Sequence, residues 1–120
     1  VRETLAAARL RFPNSRIWAI FEPHTFSRTQ AVLQNLATSF QSADKVLLAE
    51  IYPAREKKTD SSITGEQVVA EIAKNHKDVR LVANKDAALQ ILRAELEPSD
   101  IVIVMAVGSF NTLGHDLVVN

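Results

Sequence analysis

Ile17-Trp18-Ala19-Ile20-Phe21-Glu22-Pro23-His24-Thr25-Phe26-Ser27-Arg28-Thr29 opens with an unbroken apolar run and closes with a polar cluster. A run of strand length without polar alternation is the pattern of a strand covered on both faces, as strands of parallel sheets are. Upstream, Val1, Leu5, Ala8 and Phe12 place one apolar stripe on a helix that Pro13 and Asn14 terminate. Downstream, from Thr29, the residues Leu33, Leu36, Ala37 and Phe40 fit a second helical face, closed by Ser42-Ala43-Asp44, and a second apolar run follows at Val46-Leu47-Leu48-Ala49. A polar loop, Tyr52 to Ser62, leads to Thr64-Gly65-Glu66-Gln67, with Thr and Gln at capping-box spacing ahead of Val68, Val69 and Ile72. Val79 to Val82 reads as a short strand, and Ala88, Leu89, Leu92 and Leu96 as a helical face ending at Pro98. Ile101 to Met105 is the last strand; it runs into Gly108-Ser109, where Ser109 is expected to cap a final helix carrying Phe110, Leu113 and Leu117. Strict α-β alternation predicts an α/β fold with a parallel sheet and right-handed crossovers, uninterrupted by any internal repeat or linker.

The chain has 120 residues, with 14 Lys and Arg against 14 Asp and Glu. A formal net charge of zero argues against a nucleic-acid partner held through its phosphates. The 47% hydrophobic content suits one core, so residues 1–120 read as a single domain. Cysteine is absent, which removes disulfides, thiol catalysis and thiolate metal sites. The longest strongly apolar run, Ile101 to Val107, falls far short of the roughly 20 residues of a membrane helix, and a soluble domain without a membrane partner is expected. The chain begins at Val1, with helical pattern from the outset, and reads as a piece excised from a longer protein.

In open parallel sheets, ligands bind outside the carboxyl ends of the strands. There the sequence places Glu22 to Thr29 after the first strand, Glu50 to Glu56 after the second, and Ala106 to Ser109 after the fourth. His24 and Arg28 can donate to an anion, Arg28 as a planar fork suited to a carboxylate or phosphate, while Ser27 and Thr29 are the hydroxyls expected to cap the following helix. The opposing reading makes Arg28 a solvated charge and His24 a loop residue. The turn around Gly108 brings backbone N–H groups to a helix start that can receive an anion, or is a tight turn needed for packing. Arg55 and Glu56 read as a local ion pair, Lys57 and Lys58 as solvated charges, His76 and His115 as surface residues, and Trp18 and Phe21 as core. Neither a dinucleotide fingerprint nor a phosphate loop is present, and scattered histidines offer no metal cluster.

Phe21 to Thr29 resembles the F-x-P-H-x-[YF]-S-R-T motif of the bacterial Mur ligases, closest to their alanine-adding branch. Ala43-Asp44-Lys45-Val46, Ile51-Tyr52-Pro53-Ala54-Arg55-Glu56, Ile63-Thr64-Gly65 and the final strand-Gly-helix turn are similar to the same family, so the resemblance spans nearly the whole chain. It implies the Rossmann-like, three-layer C-terminal domain of a three-domain, cytoplasmic, ATP-dependent amide ligase of peptidoglycan precursor synthesis, and hence a part in cell shape and division. The implied chemistry converts the carboxylate of UDP-N-acetylmuramate to an acyl phosphate, which the amine of L-alanine then attacks. ATP and Mg²⁺ are implied to sit mainly on the central ATPase domain, the natural partner of this one, leaving this domain to position the amino acid. By that resemblance the substrate-binding set is His24, Thr25, Ser27, Arg28, Tyr52, Arg55, Gly108 and Ser109, with no catalytic base among them and the isolated domain inactive. Thr25 stands where many members have Arg, and Ala106-Val107-Gly108 where many have Gly-Ala-Gly. Two alternatives remain open: the related ligase that attaches a murein tripeptide in cell-wall recycling, and a non-catalytic, flavodoxin-like binding or interaction module.

Overall fold

The structure is a computed structural model that describes residues 1–118. Its elements are α1 (Arg2–Arg11), β1 (Ile17–Phe21), α2 (Phe26–Ala37), β2 (Lys45–Ala49), α3 (Gly65–Ala73), β3 (Val79–Val82), α4 (Lys85–Glu95), β4 (Ile101–Met105), a 3-10 turn (Ser109–Thr112) and α5 (Leu113–Val118). The four strands are all parallel, in the order β3-β2-β1-β4. This is the parallel α/β arrangement that the alternation predicts, in the three layers that the resemblance implies.

Strand pleating sorts the apolar runs into two cores. Ile17, Ala19, Val46 and Leu48 face α1, α2 and α3 through Leu5, Leu36, Val68 and Ile72. Trp18, Ile20, Leu47 and Ala49 face the other way, toward Ala88, Leu89 and Leu92 of α4 and toward Phe110 and Leu113. The chain steps outward from β1 to β2 to β3 and then returns to the far side of β1 as β4. With every crossover right-handed, that reversal of direction moves α4 to the opposite face from α2 and α3. It also makes the gap between β1 and β4 the topological switch point of the sheet, the place where such folds bind ligands.

The opposite, amino edge of the strands carries a structural network. The buried Trp18 donates its indole N–H to Asp100 Oδ2 at 2.9 Å, and Arg16, Lys45 and Arg80 lie 5.4 to 5.8 Å from its ring. Arg16 reaches Asp100 at 2.7 Å, and Lys45 reaches Asp78 at 2.7 Å. Cations on an aromatic face and paired carboxylates make this edge a clasp that locks all four strands.

Helix ends follow local chemistry, with two departures from the sequence reading. The Thr64 capping box forms as expected: the Thr64 N–H donates to Gln67 Oε1 at 2.9 Å, and the Gln67 N–H donates to Thr64 Oγ1 at 3.2 Å. Helix α2, however, starts at Phe26 with Thr25 as its cap, so neither Ser27 nor Thr29 is the capping hydroxyl. Ser109 likewise caps no helix. It opens the 3-10 turn, and the residue before it, Gly108, has no side chain with which to cap. Phe110 belongs to that turn, and α5 carries Leu113 and Leu117.

His76 is more than a surface residue. Its Nδ1 accepts from the Asp78 N–H at 3.0 Å, so Nε2 holds the proton and donates it to the Ala43 carbonyl at 2.7 Å. The ring thereby ties the turn after α3 to the turn before β2. His115, Lys57 and Lys58 are exposed, as read. Among the described residues no helix is long and apolar enough to cross a membrane.

Candidate functional site

The loops after β1, β2 and β4 meet above the switch point. Pairing between β1 and β2 resumes past their ends: the Tyr52 N–H donates to Pro23 O at 2.8 Å, and the Thr25 N–H donates to Tyr52 O at 2.7 Å. This bridge lays the His24 and Tyr52 rings against each other, centroids 5.9 Å apart and 17° from parallel. Arg28, in the first turn of α2, donates from Nη1 to His24 Nδ1 at 3.3 Å. That contact requires an unprotonated Nδ1 and leaves the His24 proton on Nε2, free to donate outward.

Thr25 is the strained point of the rim. Its φ is 61° and ψ 152°, a region otherwise almost confined to glycine. The conformation is over-determined from every side. Thr25 Oγ1 accepts from the Arg28 N–H at 3.2 Å, its carbonyl accepts from Thr29 Oγ1 at 2.6 Å, and its own N–H is the one bound to Tyr52 O. The turn that presents His24 and Arg28 is therefore held rigidly.

Gly108 packs against Tyr52 so closely that a Cβ there would fall 2.6 Å from Tyr52 Cδ1 and 3.0 Å from Glu22 Oε2. Only a residue without a side chain fits without displacing the ring. The backbone N–H groups of this turn do form an anion site, but the chain fills it itself. Glu22 is buried and accepts at Oε1 from Gly108 N at 2.6 Å and from Val107 N at 3.3 Å. Of the two readings of the Gly108 turn, the close packing against Tyr52 and the internal Glu22 carboxylate agree with a tight turn needed for packing.

A second internal carboxylate replaces the expected Arg55–Glu56 pair. Glu56 turns instead to the start of α2, where Oε1 accepts from Phe26 N at 2.6 Å and Ser27 N at 3.1 Å, and Oε2 accepts from Ser27 Oγ. The Ser27 hydroxyl, followed by the two backbone donors, holds the Glu56 carboxyl below the usual carboxylate range. Arg55 is exposed and has no ion-pair partner among the described residues.

The structure thus brings His24, Thr25, Arg28, Tyr52 and Gly108 into one contiguous rim. It turns Ser27 toward Glu56 and leaves Arg55 and Ser109 outside the contacts that build that rim. Beside the rim lies a cleft of about 370 Å³, apolar at Phe21, Val32, Leu36 and Met105, with His24 and Arg28 at its polar side. Arg28 is exposed and unpaired with any carboxylate among the described residues, which leaves most of its fork available. The sequence reading gave Glu22 no role and gave Glu56 only a pairing with Arg55. Glu22 carried a signal, an acid directly following a strand buried on both faces; Glu56 carried none, since its partners lie some thirty positions away.

The chain matches the model of the family described as Mur ligase, glutamate ligase domain, over residues 1–108. The chain belongs to the Mur ligase family. This Mur ligase domain is 39% identical over 115 residues to a UDP-N-acetylmuramate–L-alanine ligase of Caldanaerobacter subterraneus subsp. tengcongensis, covering 96% of the chain and 25% of that protein. Its fold is similar to a solved UDP-N-acetylmuramate-alanine ligase of Thermotoga maritima, with a TM-score of 0.73 at 21% identity, over 98% of the chain and 23% of that structure. A murein peptide ligase of Psychrobacter arcticus gives the same TM-score at 19% identity, over 98% of the chain and 24% of that structure. The chain spans about a quarter of the length of the curated relatives it matches. Mur ligases are ATP-dependent, so the domain is homologous to part of an ATP-dependent ligase.

Proposed function

We propose that residues 1–120 are the C-terminal domain of a cytoplasmic, three-domain ligase that joins L-alanine to UDP-N-acetylmuramate, and that this domain positions the amino acid. The observation that carries the reading is Arg28: an exposed guanidinium, steadied by His24 on a rigid turn and with no carboxylate partner among the described residues. A planar fork of this kind pairs with a carboxylate in bidentate fashion. The His24 Nε2–H supplies a second donor, and the Tyr52 ring a wall. Held by its carboxylate, an amino acid keeps its amine free to face an activated acyl group, and that positioning replaces an encounter in solution.

The rim is a poor fit for ATP and Mg²⁺. The N–H pair at Gly108 is occupied by Glu22 and the start of α2 by Glu56, so neither is open to a phosphate. The described residues hold no cluster of three or more His, Cys, Asp or Glu for a metal ion. We therefore assign both groups to the central domain of the same ligase and route no step through them here.

Arg28→Ala in the full-length ligase is expected to raise the KM for L-alanine at least tenfold, about 1.4 kcal/mol or more, with the KM for UDP-N-acetylmuramate within about twofold of wild type. Phosphate release with ATP, comparing L-alanine and the tripeptide L-Ala-γ-D-Glu-meso-diaminopimelate, is the measurement. Equal rises in both KM values would remove the assignment of Arg28, and turnover with the tripeptide alone would transfer the domain to the recycling ligase.

A further inference from the structure

Helix α2 begins with an electrostatic conflict. Its first turn carries the cation Arg28 and no acidic residue, although the unpaired N–H groups of a helix start make that end positive. Left alone, the turn would repel the guanidinium that the proposed site needs, and its first donors would lack partners. Thr25 satisfies one of them, the Arg28 N–H. The other two available to a cap, Phe26 N–H and Ser27 N–H, are satisfied by Glu56, which arrives from the loop after β2 and also takes the Ser27 hydroxyl. The same loop carries Tyr52, which holds the His24 ring.

We propose that Glu56 is a positioning residue for the amino-acid site, accepting the first free N–H groups of α2 and so fixing its first turn with Arg28 beside His24. Glu56 touches neither Arg28 nor His24 directly; it acts on Arg28 through the backbone of Phe26 and Ser27. It joins the loop after β1 to the loop after β2, as Glu22 joins the loop after β1 to that after β4. Ser27 is then part of this anchor and makes no substrate contact.

The proposal rests on the reading of Arg28 given above, and its test separates the two. In the full-length ligase, Glu56→Ala is expected to raise the KM for L-alanine about fivefold to tenfold and to leave the KM for UDP-N-acetylmuramate unchanged. Glu56→Gln, which keeps an acceptor for both N–H groups and a partner for Ser27, should recover to within about twofold of wild type. In an Arg28→Ala background, Glu56→Ala should add nothing, because its effect passes through Arg28. Hydrogen–deuterium exchange across residues 24–29 should speed up in Glu56→Ala and stay near wild type in Glu56→Gln. Should Glu56→Ala not fold, Ser27→Ala removes one leg of the same anchor and should show a smaller rise in the same KM.

Faster exchange with an unchanged KM for L-alanine would overturn positioning while leaving the role of Arg28 intact. A full Glu56→Ala effect in the Arg28→Ala background, or no recovery in Glu56→Gln, would overturn it too. If Arg28→Ala itself leaves the KM for L-alanine unmoved, the functional reading has failed, and the exchange data alone decide whether Glu56 anchors the turn: wild-type exchange in Glu56→Ala would overturn that.

Discussion

Thr25 shows how one residue stores strain in the turn that presents His24 and Arg28. A β-branched residue at φ 61° costs about 1–3 kcal/mol, offset by the hydroxyl that caps α2 and by the bonds to Tyr52 and Thr29. Thr25→Gly removes strain and cap together, so its thermal stability is expected to lie within about 1 kcal/mol of wild type. Thr25→Val keeps the branched shape and the strain but loses the capping oxygen, and should destabilise by about 1–2 kcal/mol in chemical denaturation. Destabilisation by Thr25→Gly larger than by Thr25→Val would show that the backbone is not strained there. The sequence drew attention to Thr25 through its motif, yet its positive φ was not legible, because the constraint comes from Tyr52 of another loop.

At the scale of elements, three strand-end loops are locked by close approach and by internal carboxylates. Gly108→Ala drives a methyl into Tyr52 and toward Glu22, and overpacking of this kind costs about 1–3 kcal/mol. The displaced Tyr52 ring should alter the imidazole of His24, which stacks on it, so the His24 side-chain NMR signals are expected to move in Gly108→Ala. Unmoved signals would show that the loop after β4 does not support the loop after β1. Strands, the Thr64 cap and most apolar faces were readable because each depends on neighbours within a few positions. The sequence reading began α2 at Thr29, although Phe26 lies seven positions before Leu33 and packs on the same core; the polar Ser27-Arg28 pair masks the turn that Thr25 caps and a distant glutamate meets.

For the molecule as a whole, the two edges of the sheet differ: the carboxyl edge carries the open candidate site, and the amino edge carries the clasp around Trp18. Asp100 accepts from Arg16, Trp18 and Glu97 N–H there, and the Arg16 hydrogen bond, foremost, lowers its carboxyl to about 2 from an ordinary 3.8. A depressed folded-state value means stability that is present above the unfolded value and lost as pH falls through the folded one. Wild type should therefore lose stability between about pH 4 and pH 2, and Asp100→Asn, less stable at neutral pH, should show a shallower loss over that window in denaturant titrations. Parallel acid limbs for the two proteins would remove Asp100 from this role. By itself, the sequence determined the order of elements, the parallel sheet, the family and the edge on which to look, since apolar periodicity and a contiguous motif are properties of neighbouring residues. Tertiary structure alone decided that Glu22 and Glu56 fill the two backbone anion sites, that the Ser27 hydroxyl turns to Glu56 and that Arg28 has no carboxylate partner among the described residues. Those outcomes depend on which loops the sheet order brings together, and no local pattern encodes a hydrogen bond between residues thirty or more positions apart.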